Sequence, residues 1–164
     1  MSRMLHLAVF ALFALVNSAI CEAQNGALRV VSLDSKAHEI TTQEWAQLPR
    51  AKIKVIDHSG AEATFEGVPA SALLKFIGVP LGSELRGKNL SLYVVAEGAD
   101  GYKVVYALTE FDSGFTDAVV LIADHRDGQA LSRDEGPLRI VVPWEKRQAR
   151  WLRQLVGVRV EEAR

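Results

Sequence analysis

The sequence predicts an α+β domain of strand-rich mixed sheets with short helices. Three observations carry that expectation. Apolar residues recur with period two, or in short unbroken runs, through most of residues 27–160. Turn-forming pairs such as Ser59-Gly60, Asp100-Gly101 and Asp127-Gly128 separate these runs. Helix start signals stand before only short stretches.

Taken in order, residues 27–33 (ALRVVSL) read as a strand. Thr41 with Glu44 three residues on makes a capping box for a short helix that ends before Pro49. Residues 51–57 (AKIKVID) alternate charged and apolar side chains, and His58-Ser59-Gly60 turns the chain into Ala63-Thr64-Phe65, a hairpin. Gly67-Val68-Pro69 leads into a helix over 70–76, closed by Gly78, with Leu73, Leu74 and Ile77 toward the core. Residues 90–96 and 102–108 form a second hairpin around Glu97-Gly98-Ala99-Asp100-Gly101. A short helical segment is expected from Thr109, a buried strand over 118–123, a tight turn at Asp127-Gly128, a strand over 138–142 stopped by Pro143, and a last strand over 156–160.

A hydrophobic fraction of 49% and a charged fraction of 24% describe a chain able to bury a core. Its formal net charge of −1 gives no global field for nucleic acid or an acidic membrane, so any anion recognition is local. No repeat or low-complexity linker divides residues 24–164, which read as one domain. The first 23 residues differ: Arg3 precedes an apolar run over 5–16 that is short for a bilayer span, and Cys21 and Ala23 stand at −3 and −1 of a cut after Ala23. The expectation is a cleaved signal peptide, a periplasmic protein and no membrane association afterwards. The alternatives are lipidation at Cys21, which bulky Ile20 disfavours, and an uncleaved anchor. Cys21 is the sole cysteine, so cleavage leaves a chain without disulfide, thiolate ligand or sulfur nucleophile.

Asp124-His125-Arg126-Asp127-Gly128 gathers ligand-type side chains, but neighbours on a strand point to opposite faces and Asp-Gly is ordinary turn chemistry. Asp57 and His58 read in the same way as the end of a hairpin, with a carboxylate-tuned histidine as the alternative. No nucleophile elbow, phosphate-binding glycine loop or paired metalloprotease histidines occur, which removes the support for hydrolase or nucleotidase chemistry. The strongest charge feature is Lys146-Arg147-Gln148-Ala149-Arg150-Trp151-Leu152-Arg153. Its cations either hold a phosphate through charge-assisted bonds or form a solvated face packed through Trp151 and Leu152.

Around residues 134–143 (DEGPLRIVVP) the chain resembles the sulfite-oxidase-like molybdopterin-binding oxidoreductases. Phe65-Glu66-Gly67-Val68-Pro69 with its Leu73-Leu74 helix, Ala99-Asp100-Gly101-Tyr102, Val120-Leu121-Ile122-Ala123 and the terminal strand follow in the family's order, so the likeness covers roughly residues 53–161. The resemblance implies the sulfite-oxidase type of fold and a pocket for the phosphate of a molybdopterin, contacted by Arg139 and by Lys146, Arg147 and Arg150. Two departures stand out. The family's catalytic members carry a molybdenum-binding cysteine just before the Gly-Val-Pro segment, where this chain has residues 54–60 (KVIDHSG), and the glycine usual after the proline is absent. The expectation is therefore a non-catalytic binding or accessory module for an anionic pterin-type ligand, with molybdopterin held without cysteine ligation. The alternatives are an oxidoreductase with Asp57, His58 or an outside group as metal ligand, and an interaction module for an envelope sensor or enzyme.

Overall fold

The computed structural model describes residues 28–163, and the expected leader lies outside them. Its elements in chain order are β1 (Leu28–Val31), β2 (Ala37–Ile40), α1 (Thr42–Gln47), β3 (Ala51–Ile56), β4 (Glu62–Pro69), α2 (Ala70–Phe76), β5 (Leu92–Gly98), β6 (Lys103–Ala107), β7 (Leu121–Arg126), β8 (Gln129–Ala130), β9 (Arg139–Val141) and β10 (Leu155–Glu162), with single 3-10 turns between several of them. They make two sheets, the first mixed and the second antiparallel throughout. One runs β2-β1-β10-β5-β6, with β1 and β10 parallel; the other runs β3-β4-β7-β8, with β9 beside β7. The inner faces of both, with α2 and Trp151, form one apolar cluster in which Phe65, Leu73, Tyr106 and Leu121 are fully buried.

Local chemistry accounts for the elements. Thr41 and Glu44 form the reciprocal capping box that starts α1. Asp127 and Gly128, both at positive φ, close the β7-β8 hairpin. Gly67 is required by a close approach: a Cβ there would lie 2.1 Å from the Ile122 carbonyl oxygen, where β4 and β7 pair through a bulge.

The structure revises four expectations. β2 carries no apolar alternation, since Ala37, His38 and Glu39 are exposed on an edge strand, so its sequence gave no signal. β8 is two residues long and exists only through its turn. The strand expected from residue 118 starts at Leu121, because the Val120 carbonyl receives the Ala70 N–H (2.9 Å) at the start of α2 and Ala118 N–H donates to Thr116 Oγ1 (3.2 Å). Leu90 and Ser91 belong to a 3-10 turn before β5.

Candidate functional site

Pro143 stops β9, and the chain turns through a single 3-10 turn, Gln148–Arg150, into buried Trp151. Trp151 fixes this segment from below by donating its indole N–H to the Val142 carbonyl (2.9 Å). Gln148 ties it sideways, its amide donating to the Ile56 carbonyl (3.0 Å) at the end of β3. The Tyr106 hydroxyl, from β6, donates to the Arg150 carbonyl. The basic segment is thus held beside residues 54–60, the stretch where the family resemblance puts a thiolate.

Asp57 follows β3 and is 7% exposed. One carboxylate oxygen accepts the backbone N–H groups of Ser59 (2.8 Å) and Ala61 (3.3 Å) and the Ser59 hydroxyl, while the other accepts from Arg126. The Ser59 hydroxyl first, then these backbone donors and Arg126, hold the carboxyl far below its ordinary range despite burial. Arg126 in turn lies 3.6 Å from Glu135, which pairs with Arg139.

Arg139 is turned into the core, 2% exposed, with its guanidinium 5.2 Å from the Phe65 ring centre and 5.5 Å from that of Trp151. Arg126 stacks on the same Phe65 at 5.5 Å, and the two rings meet edge to face at 6.2 Å. Burial lowers the Arg139 pKa, and among the described residues its Nε finds no partner.

The four cations of the sequence reading therefore stand in three settings. Arg139 is inside the core with Glu135. Arg150 is held by Glu110 (2.8 Å) and Glu145, donates to the Val105 carbonyl (3.1 Å) and lies over the Tyr106 ring at 4.7 Å; Glu110 foremost raises its pKa. Lys146 and Arg147 are exposed at the tip of the segment. His58 is exposed beyond Asp57. Carboxylate pairing has thus taken up the two arginines, and the two solvent-facing cations are those free to meet an external anion.

Asp124 and His125 do more than flank a turn. Asp124 accepts both Arg50 guanidinium nitrogens (2.5 Å each), the Trp45 indole N–H (2.8 Å) and His125 Nδ1 (2.7 Å). Burial pushes its carboxyl up, but Arg50, His125 and Trp45 outweigh it and bring it down to about 2. Sequence reasoning missed Arg50 and Trp45, which lie 74 and 79 residues from Asp124 and carry no local motif. It also missed Arg126, which shares the Phe65 ring with Arg139, and Glu135, which lies between the two arginines. Among the described residues no group of three or more His, Cys, Asp or Glu is arranged to hold a metal ion.

The model of the oxidoreductase molybdopterin binding domain matches residues 37–164. No curated protein matches the chain in sequence. Among solved structures, the sulfane dehydrogenase SoxCD from Paracoccus pantotrophus aligns with a TM-score of 0.64 at 20% identity, over 84% of this chain. That likeness is one of fold, and this chain spans 38% of the SoxCD chain it matches. The strand-rich mixed sheets with short helices are those of the expected sulfite-oxidase type.

Proposed function

The chain belongs to the oxidoreductase molybdopterin-binding domain family, and from that membership we propose that it is an exported, non-catalytic module that binds an anionic, pterin-type ligand. The single observation that carries this reading is the state of Asp57. It stands in the stretch that corresponds to the metal-ligating cysteine of catalytic relatives, and both its oxygens are committed, one to the hairpin turn and one to Arg126. A hard carboxylate inside an ion pair is a poor substitute for a soft thiolate, and withdrawing it would cost Arg126 its shortest carboxylate contact. His58 lies on the exposed end of the same turn, and among the described residues it belongs to no group of three or more His, Cys, Asp or Glu that could hold a metal ion. The donor set does not fit molybdenum.

The residues do fit the phosphate end of a pterin. Lys146 and Arg147 supply solvent-facing cations on a segment anchored by Trp151 and Gln148, and such donors bind phosphate oxygens strongly. Arg139 and Arg150 act as positioning residues: one supports the floor through Phe65 and Trp151, the other fixes the segment to Glu110 and β6. Export is supported by the Arg3 n-region, the apolar run and Ala23. Among the described residues no helix is long and apolar enough to cross a membrane.

A second reading, a protein-interaction module, is favoured by Ile56 and Trp144, which are 60% and 41% exposed on the strand end and loop that Gln148 joins. An acidic partner surface with an apolar centre would suit them.

Calorimetric titration with a phosphorylated pterin and with inorganic pyrophosphate tests the first reading. The Lys146→Ala/Arg147→Ala double variant should bind about tenfold more weakly, with the loss shrinking as salt rises. Arg139→Met should change the affinity less than about threefold while lowering stability. Unaltered binding by the double variant would refute the assignment.

A further inference from the structure

A separate cavity of ≈ 550 Å³ lies between α1 with the start of β1 and the β7-β8 hairpin with the chain that follows it, away from the basic segment. We propose that it binds a neutral, mostly apolar ring compound carrying one hydroxyl, of the phenol class, and that His125 receives that hydroxyl.

The size falls within the range of small-molecule sites. The walls are mostly apolar: Leu28, Ile40, Leu131 and Leu138 line it, with Trp45, Thr41 and Thr42 on the α1 side. Its polar end is Asp124 with His125, and the chemistry of that pair selects the ligand. Both oxygens of Asp124 are filled, each by one arginine nitrogen and one further donor, Trp45 or His125. The bidentate Arg50 contact also matches its charge, so a cationic ligand gains no open carboxylate there. Among the described residues no lysine or arginine lines the cavity, so an anionic ligand meets no cation from them inside it.

What remains is the imidazole. His125 turns Nδ1 to Asp124 at 2.7 Å, and in the neutral ring that contact fixes Nε2 as an acceptor. The His125 side chain is 44% exposed and lines the cavity, where the Thr41 hydroxyl is already paired with Glu44, so the imidazole borders a space lined mostly by hydrocarbon. A neutral hydroxyl donor on an apolar ring satisfies both requirements. Asp124 has a positioning role, holding the imidazole from behind while being held itself by Arg50 and Trp45.

The test is an NMR titration of the full chain with 4-phenylphenol, its methyl ether 4-methoxybiphenyl and biphenyl-4-carboxylate. The phenol should shift the methyl signals of Leu131 and Leu138 and bind about fivefold or more tightly than the ether, with the carboxylate weakest. His125→Phe should bind phenol and ether equally. Leu131→Trp, which fills the cavity, should bind neither. Equal affinity for phenol and ether in the wild type, a preference retained in His125→Phe, undiminished binding in Leu131→Trp, or shifts mapping to Lys146 and Arg147 would each overturn the proposal.

Discussion

Asp57 and Arg126, 69 residues apart in the chain, form an ion pair where the β3-β4 hairpin meets the end of β7. Arg126 of the pair lies over Phe65, whose ring also carries Arg139. It is therefore part of the packing of the second sheet as well as of the candidate site. Removing one partner of a buried pair leaves the other charge uncompensated. Arg126 is 28% exposed and Asp57 keeps its Ser59 and Ala61 donors, so Arg126→Ala should lower unfolding stability in urea by about 1–2 kcal/mol. Wild-type stability in that variant would show that the pair contributes nothing.

The Glu135–Arg139 pair should behave as a coupled unit. Arg139→Met alone leaves Glu135 facing the core, and Glu135→Gln alone leaves a guanidinium at 2% exposure without its charge partner. In a double-mutant cycle the combined variant should recover about 1 kcal/mol or more of the summed losses. Strict additivity would place the two residues in independent roles.

Asp124 sets an acid limit. Its folded pKa of about 2 lies below the ordinary 3.8, so its contribution is fully present above pH 4. It is lost as the pH falls through about 2, when protonation in the folded state no longer lags that in the unfolded chain. The contribution is on the order of 2 kcal/mol. Asp124→Asn should flatten the fall in stability between about pH 4 and pH 2 in chemical denaturation series. An unchanged slope would remove Asp124 from the acid response.

Gly67 tests the packing of β4 on β7. An added methyl would meet the Ile122 backbone, which cannot rotate away. Gly67→Ala should cost about 3 kcal/mol or more, read as a drop in the thermal midpoint. Tolerance of alanine would mean that the two strands separate at the bulge without loss.

These contacts also mark what the sequence made legible. The α1 cap, the β3-β4 and β5-β6 hairpins and α2 follow from local chemistry, a capping box, turn residues and apolar spacing, and all were expected near their observed places. β2 was not, because an edge strand with three exposed residues has no apolar period to read. The basic segment was visible as charge, but its division was not. Glu110 and Glu145 hold Arg150, and Glu135 holds Arg139, from positions chosen by the tertiary fold. The Asp124 network was hidden for the same reason: Trp45 and Arg50 are ordinary residues until β7 comes to lie beside them.

Metal content is the most direct test of the non-catalytic reading. Protein recovered from the envelope of its native cells should be a chain beginning near Gln24, with molybdenum far below one atom per chain and no molybdenum-dependent sulfite or sulfoxide turnover. Stoichiometric molybdenum with such turnover, both abolished by Asp57→Ala in a variant that still folds, would contradict it and make Asp57 a metal ligand.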